Sequence, residues 1–167
     1  KNFFREFMEL IVLASGIGKR LKSINKNQPK CLLKINNEKT ILDHISENFK
    51  KFNKVYIVGG YKIKLLKKFQ DSKTKLIFNK NFKTTNMVHS LYCAKEFVSE
   101  DIIVIYADIL FDSMLISELT KQKNNVIPLK KNWLKVWRTR MSEKEIKKDS
   151  ENVEFLNNKI LTIGGKF

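Results

Sequence analysis

The sequence predicts an α/β fold: a mixed, mostly parallel sheet with helices on both faces and a small C-terminal β appendage. Three observations carry this expectation. Up to Leu129, apolar runs of strand length alternate with helical patterns of about ten residues. The first run, Leu10-Ile11-Val12-Leu13-Ala14, has the length and branching of a buried parallel strand and breaks abruptly into Ser15-Gly16-Ile17-Gly18. From Lys130 onward the alternation stops.

Residues 1–8 form a short lead-in, and Glu9–Ala14 is the first strand. The loop Ser15–Lys30 holds two glycines one residue apart and the cations Lys19, Arg20 and Lys30, the last directly after Pro29. Glycine lets the backbone approach a ligand closely, and exposed N–H groups beside cations suit a polyphosphate. A second short strand is expected at Leu32–Ile35, ended by Asn36-Asn37. Thr40 then caps a helix, with Asp43 at the reach-back position of a capping box. Ile41, Leu42, Ile45, Phe49 and Phe52 keep helical spacing on its core-facing side.

Lys54–Val58 is the next strand, closed by Gly59-Gly60. Tyr61–Phe69 reads as a helix and Lys75–Phe78 as a strand. A polar loop, Asn79–Thr85, leads to a helix over Asn86–Ala94. Asp101–Tyr106 is the most strand-like run of the chain, followed by Ala107-Asp108, a helix over Ser113–Lys121 and a strand over Asn125–Leu129. Ligands of doubly wound sheets bind outside the carboxyl ends of the strands. The first strand and the strand Asp101–Tyr106 therefore deliver the glycine loop and Asp108 to one rim.

The last part is expected as a β appendage, with short strands at Val136–Met141, Val153–Leu156 and Lys159–Gly164 and a hairpin turn at Asn157-Asn158. Ser142–Asp149 is charged, and its pattern leaves helix and loose segment both open. The organisation is thus one domain, residues 1–129 as an α/β core and 130–167 as a small β appendage beside the sheet.

Lys and Arg number 33 against 17 Asp and Glu, a formal net charge of +16 that favours anionic partners. These charges are scattered, and no RNA-stacking motif accompanies them, so a small anionic substrate is expected rather than nucleic acid. Cys31 and Cys93 lack metal-ligand spacing and suit a reducing cytoplasm, the expected location. No apolar run approaches the length of a membrane span. Residues 1–7 meet charge too soon for a signal peptide.

LASGIGKRL followed by QPKCLLKIN resembles the L-A-A-G-x-G-x-R-L…P-K-x-L signature of the nucleotidyltransferases that join an NTP to a phosphorylated small molecule; Ser15 replaces the second alanine. Ala-Asp-x-x-Phe at 107–111 resembles the G-D-x-x-F of the same superfamily. Thr85-Asn86-Met87-Val88-x-Ser90-Leu91 is similar to the T-N-M-x-x-S-L of the branch that includes phosphocholine and 2-aminoethylphosphonate cytidylyltransferases. Asn132–Arg140 resembles that branch's N-W-x-x-L-W-x-x-R, Asp149-Ser150-Glu151 its D-A-E, and Ile163–Lys166 its I-G-x-K.

The resemblance implies a Rossmann-like fold and Mg²⁺-dependent transfer of CMP from CTP to a small phosphorylated or phosphonylated alcohol or amine, with release of pyrophosphate. It implies Arg20 and Lys30 as catalytic cations. Ala14, Gly16, Gly18, Asn86 and Ser90 would bind nucleotide, and Asp108 would hold the metal. Trp137, Arg140, Asp149 and Glu151 would contact the acceptor, an indole face suiting an ammonium group. Alternatives stay open: Asn86 also fits an N-cap, Asp108 a helix cap, and the two tryptophans, four apart, simple packing. Asp112 is expected to cap the helix after it. Relatives carry a second metal-binding aspartate further on, so the chain is expected to be C-terminally incomplete; otherwise Asp149 or Glu151 substitutes, or another chain supplies the ligand. Rival readings are a sugar-1-phosphate nucleotidyltransferase using UTP or dTTP, a basic nucleic-acid-binding domain, and a binding remnant without turnover.

Overall fold

The computed structural model describes residues 8–18, 27–98 and 101–165. Four parallel strands form the central sheet: β1 (Glu9–Ala14), β2 (Lys54–Gly59), β3 (Thr74–Phe78) and β4 (Ile102–Tyr106), in the order β3-β2-β1-β4. Between and after them lie helices α1 (Ile41–Ser46), α2 (Met87–Tyr92) and α3 (Ser113–Leu119). β1 is flanked on both edges, Val12 opposite Ile57 and Ile105, Leu13 opposite Val58 and Tyr106.

The side-chain period of two explains why β1 reads as an unbroken apolar run. Leu10, Val12 and Ala14 pack on one face with Leu42 and Ile45 of α1, Phe52 and Ile116 of α3. Ile11 and Leu13 pack on the other with Tyr56, Val58, Ala94 and Leu91 of α2. Helices therefore cover both faces, as the sequence predicts.

Four expectations about elements are corrected. Leu32–Ile35 is no strand. Pro29 enters a 3-10 turn over Lys30–Leu32, and only Lys34 makes a bridge, to Thr40. Asn36 reverses the chain there by accepting from the amides of Glu38 and Lys39. The segment after Gly60 is a 3-10 helix, Ile63–Phe69, rather than an α-helix. Three residues per turn stack Ile63, Leu66 and Phe69 on one side, with Leu66 fully buried, and Lys64 and Lys67 on another.

Asn125–Leu129 forms no strand: Pro128 lacks a ladder donor, and Val126, Ile127 and Leu129 stay exposed. Val136–Met141 is not a strand either. Trp133, Val136 and Trp137 keep the i, i+3, i+4 spacing of a helix, and α4 spans Trp133–Arg138. The capped helix after Thr40 exists but is shorter than its apolar spacing suggests. The Ser46 hydroxyl donates to the Asp43 carbonyl, 2.7 Å, and the chain passes into a 3-10 turn at Phe49–Lys51. Phe52 still reaches the core.

The chain divides into two compact units, Lys1–Asn125 and Val126–Phe167. In the second, α4 is followed by α5 (Glu143–Asp149), which settles the open segment as helix through a capping box of Ser142 and Glu145. The hairpin of β5 (Val153–Leu156) and β6 (Lys159–Ile163) completes this unit. Its two-residue turn, Asn157-Asn158, has φ of 50° and 61°, the left-handed pair that a primed turn requires.

Candidate functional site

The carboxyl ends of β1 and β4 open onto a cavity of about 470 Å³ in the first unit. Ala14, Gly16, Gly18, Lys30, Asn86, Ser90 and Asp108 all line it. The backbone places them there. Ala107 N–H donates to the Leu13 carbonyl, 3.0 Å, which carries the β1–β4 ladder one step further. Asp108 thus leaves the sheet level with the start of the glycine loop.

That loop is held from below. The Ser15 hydroxyl donates to the Val58 carbonyl, 3.0 Å, so the serine that replaces alanine is buried with its proton satisfied. Gly60 is fixed by close approach: a Cβ there would lie 2.4 Å from Phe82 Cβ and 2.8 Å from the Ser15 carbonyl oxygen. Gly18 has φ of 69°, which side chains rarely adopt. Gly16 differs from both. Its φ is not in the left-handed region, and among the described residues a Cβ on it would meet nothing within 4 Å. Neither its conformation nor packing against the described residues demands glycine at 16.

Lys30 Nζ donates to Asp108 Oδ2 at 2.6 Å, with the two side chains 40% and 39% exposed. The sequence places both residues at the site but not this direct pairing across 78 positions. Next to Lys30, Cys31 is buried, and burial pushes its thiol up to about 12. A backbone hydrogen bond opposes that rise and the Asp108 charge adds to it. The thiol is protonated at neutral pH and is no nucleophile.

Asn86 caps α2, its Oδ1 accepting from the amides of Val88 and His89, while the residue also lines the cavity. Asp112 caps α3 by accepting from Met114 N–H, 2.8 Å, as expected. Sequence reasoning missed Asn79, which is 1% exposed and donates to Thr85 Oγ1 and Ser90 Oγ at 3.1 and 3.0 Å. A signal was available: Asn79 directly follows β3, at the same strand end that singled out Asp108. Phe82 also lines the cavity without having been picked out, and so do Thr85 and Met87, which the sequence showed only as members of the Thr85–Leu91 motif.

Arg20 lies outside the described residues, as does Lys166. Trp137, Arg140, Asp149 and Glu151 belong to the second unit. There Trp133 and Trp137 meet edge to face with centroids 5.3 Å apart, and the Arg140 guanidinium sits 5.8 Å from the Trp137 ring centre. Among the described residues no three His, Cys, Asp or Glu side chains converge to hold a metal by themselves. Among them, too, no helix is long and apolar enough to cross a membrane.

Residues 10–140 match the family described as MobA-like NTP transferase domain. A CTP:phosphoglutamine cytidylyltransferase of Campylobacter jejuni is 33% identical over 170 aligned residues, covering 95% of this chain and 66% of that protein. A choline-phosphate cytidylyltransferase of Streptococcus pneumoniae is 32% identical over 68% of this chain and 51% of its own length. The solved structure of a CTP:phosphocholine cytidylyltransferase from Streptococcus pneumoniae superposes with a TM-score of 0.55 at 32% identity, over 65% of this chain and 48% of that one. The chain therefore spans between half and two thirds of the length of these curated relatives. The glycine loop and Asp108 on one rim of a parallel sheet, Lys30 paired with Asp108 in the same cavity, and the match over residues 10–140 lead to one conclusion: the chain belongs to the family of MobA-like NTP transferase domains.

Proposed function

We propose that this chain provides the nucleotide-binding core of a cytidylyltransferase. It would transfer CMP from CTP to a small phosphorylated or phosphonylated alcohol, amine or amide and release pyrophosphate. The observation that carries this reading is the 2.6 Å contact of Lys30 with Asp108 in the cavity that Gly16 and Gly18 line. A cation, a carboxylate and accessible loop backbone are what a triphosphate site needs. The named activities of the relatives support the choice of CTP.

In the reaction an anionic oxygen of the acceptor attacks the α-phosphorus. A new P–O bond forms while the bond to the bridging oxygen breaks, and pyrophosphate leaves with that electron pair. Lys30 would donate to oxygens of the α-phosphate or the acceptor, drawing two anions together and neutralising charge that grows during transfer. The loop at Gly16 and Gly18 would wrap the outer phosphates, with Arg20 as a bidentate partner. Asn86 and Ser90 would line the nucleotide. No covalent intermediate is needed, and the protonated Cys31 offers none.

Asp108 fits Mg²⁺ as a single hard-oxygen ligand, because this ion is held by one or two carboxylates together with substrate phosphates. The ion, when bound, would supply charge neutralisation at the phosphates. With Asp108 the one carboxylate lining the cavity among the described residues, it would hold the ion jointly with the nucleotide. Trp137, Arg140, Asp149 and Glu151 remain proposed acceptor contacts, on the strength of the motif resemblance.

The test is pyrophosphate release from CTP, UTP or dTTP with phosphocholine, 2-aminoethylphosphonate, phosphoglutamine or glucose-1-phosphate. Release is expected with CTP and one of the first three acceptors. Lys30→Ala is expected to lower turnover by roughly 10²–10³-fold with an unchanged melting temperature, since Lys30 is 40% exposed. Reaction of glucose-1-phosphate alone, with UTP or dTTP, would overturn the proposal.

A further inference from the structure

Helix α1 reaches both members of the Lys30–Asp108 pair from outside the cavity. Towards Lys30 the link is backbone. Ile41 N–H donates to the Leu33 carbonyl and Leu33 N–H to the Lys30 carbonyl, each at 3.0 Å. Towards Asp108 the link is one side chain. His44 Nε2 lies 2.9 Å from the Phe111 carbonyl oxygen. A carbonyl oxygen can only accept, so Nε2 carries a proton and donates it. The other ring nitrogen stands 3.9 Å from a Glu47 oxygen, too far for a hydrogen bond.

That bond falls where the chain has little else to hold it. Ala107 N–H is tied to the Leu13 carbonyl, and Asp112 caps α3. Residues 108–111 between them form neither helix nor strand, and Ile109 and Leu110 are exposed. Among the described residues, the bond from His44 is the one hydrogen bond on the backbone of this stretch. The Phe111 ring packs against the core and meets the His44 ring edge to face, centroids 6.0 Å apart. α1 itself is firmly seated: Leu42 and Ile45 are fully buried, and the box of Thr40 and Asp43 closes its first turn.

We infer, on the nucleotide-binding reading above and with Asp108 as its proposed Mg²⁺ ligand, that His44 is a positioning residue for Asp108. It touches neither substrate nor ion. Its bond to Phe111 fixes the backbone just beyond the carboxylate, and so keeps Asp108 aimed at the place it shares with Lys30. The same helix holds the turn that carries Lys30, so α1 spaces the cation and the carboxylate from behind. Hydrogen bonds behind a metal ligand tune its affinity as strongly as many direct contacts do.

The experiment is calorimetric titration of the purified protein with CTP, once with Mg²⁺ and once with EDTA. The ratio of the two affinities reads what the ion gains at Asp108, and Asp108→Asn supplies its floor. His44→Phe keeps a flat ring and removes the donor. It is expected to lower the ratio roughly tenfold, or to that floor if the floor is nearer, with affinity in EDTA little changed. His44→Gln carries an amide N–H at the reach of Nε2 and is expected to restore most of the ratio. A histidine that only stabilised the fold would lower both affinities alike and leave the ratio unmoved. If His44→Phe fails to fold, His44→Asn, whose amide is too short to reach Phe111, takes its place with the same expectation. An unchanged ratio in the variant without the donor overturns the inference, as does a His44→Gln ratio no better than that variant's. So does an unaltered protein whose ratio is no greater than that of Asp108→Asn, and CTP binding would then still support the nucleotide reading. Absence of CTP binding under both conditions removes that reading and the role of His44 with it.

Discussion

Gly16 lines the cavity and Gly60 packs under its loop, against Phe82 and the Ser15 carbonyl, and the two are glycine for opposite reasons. Gly60 is bounded by protein on two sides, whereas an added Cβ at Gly16 meets none of the described residues within 4 Å. A methyl at 16 would intrude on whatever occupies the cavity. Gly16→Ala is therefore expected to leave the melting temperature of the unliganded protein within about 1 °C, because nothing is strained or displaced. CTP affinity is expected to fall roughly tenfold or more, read by calorimetry. At this scale the sequence showed Gly16, Gly18, Lys30 and Asp108 through strand ends and motif. Asn79 stayed hidden, because a polar residue after a strand reads as loop until its burial is known. The contact of Lys30 with Asp108 stayed hidden because spacing along the chain says nothing about which side chains meet across a sheet.

Among the elements, α1 shows most clearly how a local signal sets structure. Asp43 Oδ2 accepts from the Thr40 amide at 2.8 Å, and Thr40 Oγ1 accepts from the Asp43 amide at 3.1 Å. Burial alone would raise the Asp43 carboxyl. The bonds from Thr40 and the charge of Lys68 outweigh it, and the net shift is downward. A lowered folded-state value means stability that is complete above the ordinary carboxylate range and lost as pH falls through the folded value. Asp43→Ala is expected to cost about 1 kcal/mol at neutral pH. That difference should shrink as pH drops below about 4, as denaturant melts at several pH values would show.

The capping box was legible because it needs two residues at a fixed spacing. β1 and β4 were legible because strands covered on both faces admit only apolar side chains. The strand expected at Val136–Met141 failed because β-branched content outweighed the spacing of Trp133, Val136 and Trp137, which the edge-to-face ring contact shows to be decisive. Asn125–Leu129 failed because the apolar run was given more weight than Pro128.

For the whole molecule, a formal charge of +16 gives anions a general attraction. The cavity is the specific place proposed for one. The division into two units falls where residues 121–132 are all exposed and 125–130 carry no helix or strand. Exposed chain without backbone pairing is the preferred substrate of proteases. Limited trypsin digestion followed by mass spectrometry is expected, among the described residues, to cut first at Lys123, Lys130 and Lys131. First cuts within Lys64–Lys75 would show that the 3-10 helix opens more readily than this connection. The sheet and its helices could be read from alternation alone. The division into units could not, because Asn125–Leu129 imitates one more strand of the same series.

The contact between Lys30 and Asp108 bears on how the cavity would receive an anion. Each charge already has a counter-ion, so an arriving anion exchanges one partner for another and does not meet a bare ammonium group. The long lysine side chain is also confined before anything arrives, and much of the ordering that a flexible cation would lose on capture is lost during folding instead. The protein keeps its cation aimed while at rest.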